Sequence, residues 1–458
     1  MSAVTTGATR RLAEFAAALS YDDIPAEVQR LMPTLLIDLF RVAAVGRNTT
    51  WVAQAEKTLS SLGGAPAASL FYSDRKADPI RAAYLNGVIA GSLDWDDSHI
   101  AAIVHPGVVI WPAALAAAEM VDADGRALVE AVTAAYEVAI RIGISVQPDH
   151  SLRGFQGTPA CGVFGAAVAA ARLFGLDADG IQNALGLTAS YASGLAQFFV
   201  SGSDVKRLHA GKAAAQGLEA AILARAGLTG PPDAIEGSQG FGQAVSDSFD
   251  AARITEGLGS RYWINSISLK VHAGTVRFQA AIEAGEALAR EGVDIAEIER
   301  IEIGVPRLLI NKLTYNDPID QQAALVSAPF AVALALWLTP RRPAPLVVGL
   351  DDFATYVHDP VIRGVATRTQ CVFDPDIDAA MTAEYVPARV KVTLRNGRSI
   401  EKIIPKPKGC PENPITPEEV SARYRLAVAA HRAPDQAEAW LGKARDVARL
   451  SRASALMD

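Results

Sequence analysis

The sequence predicts a mainly α-helical protein with two domains, a large helical domain and a smaller α+β domain. The chain of 458 residues is too long for one ordinary hydrophobic core. Half of its residues are hydrophobic while only 7% are aromatic, a composition that favours closely packed, alanine-rich helices. Near residue 265 the apolar pattern changes from helical spacing to alternation, which is typical of strands.

The first 265 residues carry helical patterns throughout. Apolar residues recur at helical spacing from about residue 8 to 45, with a turn at Ser20–Pro25. Gly, Asp and Pro breaks then separate further helical segments. These segments are predicted over residues 80–93, 108–121, 126–146, 160–174 and 178–199, and another over 206–225.

The following region mixes strands and helices. Glu299–Pro306 and Arg389–Arg398 alternate polar and apolar residues, and Asn396-Gly397 is a hairpin signal. Helices are expected between them, at about 273–291 and 320–338. The stretch Lys406–Pro414 is a proline-rich linker, after which 417–456 is helical again. We therefore assign residues 1–265 and 405–458 to the helical domain and 266–404 to the smaller α+β domain.

Composition excludes several classes of partner. A net charge of −7 argues against nucleic acid and anionic membranes, which both attract basic surfaces. The three cysteines have no disulfide or zinc spacing, and the nucleotide motifs GxGxxG and GxxxxGK[ST] are missing from the sequence. We find no secretory signal and no clean apolar run of about twenty residues. The expectation is a cytoplasmic protein that binds a small molecule.

The densest chemical cluster is DWDDSHIAAIVHPG at residues 94–107, beside an alanine-rich segment. Asp94, Ser98 and His105 place a carboxylate, a hydroxyl and an imidazole where their polar atoms must meet each other or a ligand. One alternative is a helix-capping turn, with Asp94 or Asp97 as the cap. Another is a metal site, but the spacing matches no standard metal motif. We predict a catalytic wall without a metal.

Two basic clusters and a tyrosine complete the candidate site. Lys206 and His209 stand at the start of a predicted helix, where free N–H groups favour anions. At the domain junction, Lys270, His272 and Arg277 form a possible carboxylate clamp. The alternative for both clusters is an ordinary solvated basic surface. Tyr315 lies in a turn, where its phenol could act as an acid; a lone tyrosine is more often a packing residue.

Several motifs in this order resemble the MmgE/PrpD family, which includes 2-methylcitrate dehydratase, cis-aconitate decarboxylase and iminodisuccinate epimerase. They are the 94–107 segment, GFQGT at 154–158, KRLHAGKAAAQGLEAA at 206–221, GLTGP at 227–231, EGSQGF at 236–241 and the linker at 405–414. The resemblance implies a helical domain with an α+β lid domain, and a homodimer with a cofactor-independent site between the domains. It also implies that the pocket is lined by Asp94, Ser98, His105, Lys206, Lys270 and Tyr315.

The sequence departs from the family pattern at two histidines. Gln156 stands in the first of these positions, and an amide cannot act as an acid or base near neutral pH. Arg277 stands in the second and adds a fixed cation. Transfer of any single family activity to this chain is therefore uncertain from sequence, and the roles of individual residues are predicted from their chemistry.

The predicted reaction acts on a carbon next to a carboxylate of a di- or tricarboxylate. His105, oriented by Asp94, is the acid or base, while Lys206 and Lys270 stabilise the negative charge that develops, with help from Arg277. Tyr315 supplies a proton, and the substrate is held by Ser98, Gln156, His209 and His272. The leading hypothesis is a lyase of the 2-methylcitrate dehydratase type. The alternatives are a cis-aconitate decarboxylase, an epimerase or a carboxylate-binding protein without activity.

Overall fold

The computed structural model describes residues 7–198, 203–310 and 313–458. The chain divides into two compact units. The helical unit comprises Met1–Ser92, Asp96–Ile267 and Thr416–Asp458, and the mixed unit comprises Leu93–Trp95 and Ser268–Ile415. The predicted fold class, mainly α with a smaller α+β part, is confirmed. Among the described residues, no helix is both long and apolar enough to cross a membrane.

The first part of the helical unit contains twelve α-helices among its described residues. They are α1 Ala8–Ala18, α2 Ala26–Arg47, α3 Thr50–Ser60, α4 Pro79–Gly91, α5 Gly107–Val121, α6 Gly125–Val146, α7 Asp149–Leu152, α8 Gly157–Leu173, α9 Ala178–Ala189, α10 Val205–Arg225, α11 Phe241–Val245 and α12 Ala251–Thr255. Short strands lie at β1 Ala68–Ser69, β2 Lys76–Ala77, β3 Ser98–His99 and β4 Ile267–Ser268, and β1 pairs antiparallel with β2.

Small residues let the central helices approach closely. A Cβ atom added to Gly87 of α4 would lie 2.7 Å from the Cα atom of Gly211 in α10. One added to Gly217, also in α10, would lie 2.5 Å from the Cβ atom of Ala166 in α8. Larger side chains at these contacts would force the backbones apart. The glycine- and alanine-rich sequence thus fixes α10, which carries Lys206 and His209, against α4 and α8.

One predicted helix ends earlier than expected. The pattern predicted a helix over 178–199, but α9 ends at Ala189. Gly194 has a φ of +128°, and Phe155 and Leu195 form an antiparallel bridge. The extended segment around Gly194 therefore bonds to the strand-like stretch before α8 instead of continuing the helix. Residues 199–202, which include the start of the second predicted cluster, lie outside the described residues.

A four-stranded sheet forms the centre of the mixed unit. Its strands are β5 Ile298–Val305, β6 Thr369–Phe373, β7 Ala388–Leu394 and β8 Ser399–Ile404, in the order β6-β5-β7-β8. β5 pairs parallel with β6 and antiparallel with β7, and β7 pairs antiparallel with β8. Gly397, at φ +83°, makes the turn between β7 and β8 and confirms the predicted hairpin.

The mixed unit also contains α13 Gln279–Arg290, α14 Gln321–Ala324, α15 Ala328–Leu338, α16 Leu350–Tyr356, α17 Pro360–Thr367 and α18 Pro375–Ala380. α13 packs on β7 and β8, and its apolar face is buried. The helix predicted over 320–338 is divided into α14 and α15. Ser327 caps α15 by accepting the N–H of Phe330 at 3.1 Å, and Pro329 suits only the first turn of a helix.

The proline-rich stretch after β8 packs within the mixed unit. Glu283 of α13 accepts the N–H of Lys408 at 2.7 Å, and the N–H of Leu269 donates to the carbonyl of Gly409 at 2.9 Å. The chain then returns to the helical unit with α19 Pro417–Val428 and α20 Pro434–Arg445. Single 3₁₀ turns occur at Tyr21–Asp23, Trp263–Ser266, Val276–Phe278, Ile295–Glu297, Arg307–Leu309, Thr339–Arg341, Val447–Arg449 and Ala453–Leu456.

Candidate active site

A buried ion pair joins Asp94 and Lys270 in the mixed unit. The Lys270 ammonium donates to the Asp94 carboxylate at 2.7 Å and to the Asp94 carbonyl at 2.8 Å. Lys270 is fully buried, and Asp94 adopts a left-handed backbone conformation with φ +50°. The indole N–H of Trp95 donates to the Val271 carbonyl at 3.3 Å. The structure therefore gives the predicted cation Lys270 a partner of opposite charge.

His272 is held in the core of the mixed unit. Its Nδ1 atom accepts the N–H of Val348 at 3.2 Å, so the neutral ring carries its proton on Nε2. The Gln279 side chain bonds to both backbone polar groups of His272. These bonds to neighbouring groups account for the position of His272 without a ligand. Its predicted contact with the substrate stays a prediction.

Arg277 is half-buried in the 3₁₀ turn before α13. Among the described residues, none accepts a hydrogen bond from its guanidinium. Arg277, Phe278 and Ala281 line a small cavity of about 10 Å³. Burial lowers the pKa of Arg277, and the negative charge of Asp94 opposes that shift. A guanidinium stays protonated even so. Arg277 thus offers a partly desolvated positive charge to an anionic ligand.

In the helical unit, the ring of His105 is fixed through one nitrogen. Its Nδ1 atom lies 2.9 Å from the Asp97 carbonyl, 2.9 Å from the Ser98 hydroxyl and 3.4 Å from the Asp96 carboxylate. A carbonyl oxygen only accepts, so Nδ1 carries the proton of the neutral ring. The side chain is 22% exposed, unlike its buried neighbours Asp96 and Ser98. Nε2 is therefore the nitrogen that can exchange a proton with a ligand.

The Asp97 carboxylate holds the same segment in place. One carboxylate oxygen accepts the N–H of Gly107 at 3.0 Å, and the other accepts the hydroxyl of buried Tyr136 at 2.8 Å. Burial raises the pKa of Asp97 to about 7, with the charge of Asp96 adding to the shift. Asp97 thus serves the start of α5, as the capping alternative proposed, while its carbonyl orients His105.

A second imidazole, that of His209, is bonded to the side chain of Gln156. The Nδ1 atom of His209 donates to the side-chain carbonyl of Gln156, so Nε2 again carries the lone pair of the neutral ring. The backbone N–H of Gln156 donates to Gly194 at 3.0 Å. Burial lowers the pKa of His209, and the positive charge of nearby Lys206 lowers it further. His209 is thereby favoured as a neutral group.

The start of α8 brings these two histidines into one region of the helical unit. The backbone N–H of His105 donates to the Thr158 hydroxyl at 3.1 Å, and Gln156 stands two residues earlier. Gly157 lies so close to Ile103 that an added Cβ atom would be 2.3 Å from its carbonyl. His105, Gln156, His209 and Lys206 therefore form one cluster, which we call the imidazole cluster. It can transfer protons and bind an anion.

Two predicted residues have a different setting from the one expected. Ser98 is buried, and its hydroxyl contacts His105. Its predicted substrate contact stays a prediction. Tyr315 is 54% exposed, and within the described ranges its one hydrogen bond is to its carbonyl, from the hydroxyl of Ser327. The structure shows no burial that would prepare the phenol for proton transfer, so its role as an acid also stays a prediction.

Sequence reasoning missed three residues that help to build the imidazole cluster, namely Asp96, Tyr136 and Thr158, and it named Asp97 only as a possible helix cap. The adjacent carboxylates of Asp96 and Asp97 were a signal, because like charges so close need separate partners. Tyr136 lies in the middle of the apolar helix α6, and Thr158 lies in α8; neither position has a distinguishing pattern.

The protein is thus mainly helical, has two units and contains groups that can transfer protons and bind anions. A family model described as the MmgE/PrpD N-terminal domain matches residues 10–254, and one described as the MmgE/PrpD C-terminal domain matches residues 272–446. The chain belongs to the MmgE/PrpD family, as its motifs predicted.

Its similar relatives include proteins named for decarboxylation. A cis-aconitate decarboxylase-like protein of Aspergillus oryzae is 27% identical over 451 residues, which cover 91% of this chain and 89% of that protein. A cis-aconitate decarboxylase of Aspergillus terreus is 24% identical, with coverage of 92% and 89%. The cis-aconitate decarboxylase of Homo sapiens is 24% identical, with coverage of 77% and 73%.

Proposed function

We propose that this protein is a carboxy-lyase that removes carbon dioxide from a small unsaturated tricarboxylate such as cis-aconitate. The sequence alone favoured dehydration of 2-methylcitrate, with decarboxylation as the alternative. The names of the similar relatives support the alternative. The observation that carries the proposal is the geometry of His105, whose ring is fixed through Nδ1 and directs its proton chemistry to Nε2.

The reaction needs a proton donor and positive charge. The bond between carbon and one carboxylate breaks, carbon dioxide leaves, and the electron pair moves into the neighbouring unsaturated system. A proton then adds to carbon, so one tricarboxylate and one proton give one dicarboxylate and one carbon dioxide. Stabilising the developing carbanion with fixed positive charge lowers the barrier. No step requires an oxidant or reductant.

His105 is the residue proposed to deliver that proton. Its ordinary pKa lies close to working pH, and Nε2–H of the protonated ring can donate to carbon while Nδ1–H stays bonded to the Asp97 carbonyl. The acidic neighbour Asp96, at 3.4 Å, stabilises the protonated ring. Lys206 and His209 are proposed to bind one substrate carboxylate, with Lys206 supplying the charge and the neutral His209 a hydrogen bond.

Arg277 is proposed to bind a carboxylate ligand in the mixed unit. Lys270 is already balanced by Asp94, whereas no described residue accepts a hydrogen bond from the Arg277 guanidinium. Planar guanidinium groups match carboxylates with two parallel hydrogen bonds. In a chain with a net charge of −7, a partly desolvated cation of this kind is best explained by an anionic ligand. Gln156 would contribute neutral hydrogen bonds where relatives have a histidine.

The test is a comparison of candidate acids in deuterated buffer, followed by NMR and by trapping of carbon dioxide. We expect carbon dioxide from cis-aconitate, with one deuterium bound to carbon in the dicarboxylate product. Water loss from 2-methylcitrate would instead support the dehydratase hypothesis, and deuterium exchange without net reaction would support an epimerase. Failure to convert any of cis-aconitate, citrate, 2-methylcitrate or iminodisuccinate would refute the proposal.

Two variants test the residue assignments. His105→Gln should lower kcat by about 100-fold or more, because general acid catalysis commonly contributes that much. Arg277→Met should raise KM by roughly tenfold or more, since a charge-assisted hydrogen-bond pair is lost. Arg341→Met is the control for Arg277→Met, because Arg341 is a cation of the mixed unit that stacks on Trp337. An unchanged KM in Arg277→Met would remove Arg277 from the substrate site.

A further inference from the structure

Asp97 makes hydrogen bonds around His105 with both its backbone carbonyl and its side-chain carboxylate. Its carbonyl accepts from His105 Nδ1 at 2.9 Å. Its carboxylate accepts from Gly107 and Tyr136 at 3.0 and 2.8 Å. His105 stands between Asp97 and Gly107 in sequence, so these bonds close a loop around it. A shift of the Asp97 carboxylate would therefore move the carbonyl that selects the tautomer of His105.

The contacts among Gly107, Asp97 and Tyr136 are tightly packed. A Cβ atom added to Gly107 would lie 2.7 Å from the Tyr136 hydroxyl and 2.8 Å from the Asp97 carboxylate. Tyr136 is fully buried, and the exposed fraction of Asp97 is 6%. Water therefore has little access to replace the bond between them, and loss of the Tyr136 hydroxyl would leave a buried carboxylate oxygen without its donor.

We propose that Asp97 and Tyr136 are a positioning pair that fixes the Nδ1–H tautomer of His105. Neither residue is proposed to touch the substrate. Tyr136 holds the Asp97 carboxylate in place, and the Asp97 carbonyl then accepts Nδ1–H, which leaves Nε2 as the nitrogen that exchanges the proton. The proposal rests on the proposed function only where it predicts kinetics, because the tautomer is a property of the protein without substrate.

The charges around Asp97 predict how the pair responds to pH. Asp96 is adjacent, Asp38 of α2 adds a further negative influence, and both raise the pKa of Asp97. The Tyr136 hydroxyl and the Gly107 N–H stabilise the ionised form and lower it. Protonation would replace an acceptor oxygen by a donor that faces the Tyr136 hydroxyl and would loosen the loop. The ionised form of Asp97 is therefore the one that positions His105.

The first experiment is ¹⁵N NMR of the full chain labelled at histidine. Only seven histidines are present, and the His105 signals are assigned by their loss in His105→Gln. We expect the Nδ1–H tautomer in the unmodified protein at neutral pH. In Tyr136→Phe the Nε2–H tautomer should become populated. Tyr72→Phe is the matched control, because the Tyr72 hydroxyl also donates one bond, to the Phe40 carbonyl at 2.7 Å, outside the imidazole cluster.

The second measurement is the pH dependence of turnover. Tyr136→Phe should lower kcat by roughly tenfold with little change in KM, and its acidic limb should move to higher pH by about one unit, the equivalent of one such hydrogen bond. Asp97→Asn keeps the carbonyl and removes the charge that titrates. Because the amide is neutral and carries a donor, as the protonated acid does, this variant should populate the Nε2–H tautomer of His105 and lose the Asp97 contribution to the acidic limb.

An Nε2–H tautomer of His105 in the unmodified protein would overturn the proposal. So would a Tyr136→Phe variant that matches Tyr72→Phe in tautomer, kcat and acidic limb, since Tyr136 would then be only a packing residue. If the tautomer shifts as expected but cis-aconitate is not converted, the positioning pair is supported and the proposed reaction is refuted. The two failures are therefore distinguishable.

Discussion

The buried pair of Asp94 and Lys270 makes a quantitative prediction about the mixed unit. The two charged groups are 2.7 Å apart, and their side chains are 8% and 0% exposed. Removing one partner of such a pair leaves the other charge buried and typically costs about 3–5 kcal/mol. We therefore expect Lys270→Met and Asp94→Asn each to reduce the free energy of unfolding by about 3 kcal/mol or more.

The double variant tests whether the loss in the free energy of unfolding results from breaking the ion pair. Replacing both charges leaves no uncompensated buried ion, so the double variant should be more stable than either single variant, with a coupling of about 2–3 kcal/mol. The assay is denaturant unfolding followed by near-ultraviolet circular dichroism, with calorimetry to resolve separate transitions of the two units. Stability is measured without substrate and so does not depend on the proposed reaction.

Lys402→Met provides the control for Lys270→Met. Lys402 pairs with Glu291 in the same unit, but the two side chains are 37% and 46% exposed. An exposed pair of this kind contributes about 0–1 kcal/mol. If Lys270→Met were no more destabilising than Lys402→Met, or if the effects at Asp94 and Lys270 were additive, the reasoning that the two form a mutually dependent buried pair would be refuted.

Three further predictions concern the helical unit. Arg141 is fully buried, bonds to Glu137 at 3.2 Å and donates to the carbonyls of residues 254, 256, 257 and 261, so Arg141→Met should cost about 3–5 kcal/mol in a denaturant titration. Gln156→His adds a titratable ring beside His209, and the pH profile of kcat should gain an ionisation that Gln156→Asn does not produce. Burial lowers the pKa of His150 to about 4, and both its ring nitrogens lack hydrogen-bond partners among the described residues. The unfolded state therefore binds a proton first, and stability should fall as the pH drops from about 6.5 towards 4, by up to about 1.4 kcal/mol per pH unit. His150→Phe should remove that slope, whereas a slope unchanged in melting curves would assign it to other groups.

The sequence predicted the residue types of the candidate site better than their partners. His105, Lys206, His209 and Arg277 stood out because imidazoles and cations beside apolar segments need an explanation. Their contacts depend on helices that are distant in sequence. Tyr136 bonds to Asp97 across 39 residues and Lys270 bonds to Asp94 across 176. Local sequence patterns do not indicate which distant residues will form such pairs, because the pairs depend on how the whole chain packs.

The fold was predictable where local signals were strong. The hairpin at Asn396-Gly397 and the helices at the centre of the helical unit follow from turn chemistry and apolar spacing. The helix predicted over 178–199 was wrong beyond Ala189 because tertiary bonding overrides the apolar pattern there. The backbone of 194–196 exchanges hydrogen bonds with Gly154 and Gln156, at 2.7 and 3.0 Å. Helix propensity cannot anticipate a competing strand-like partner.

The three carboxylates of the 94–97 segment bond to different partners. Asp94 pairs with Lys270, Asp96 lies beside His105, and Asp97 holds the start of α5 and Tyr136. Each charge thus has its own partner, as electrostatic repulsion between neighbours requires. Asp97 orients His105 through its carbonyl, which accepts Nδ1–H, while the Asp96 carboxylate lies 3.4 Å from the same nitrogen. Nε2 is thereby left to exchange a proton with a ligand, which is the property that a proton donor to a carboxylate-derived carbanion needs.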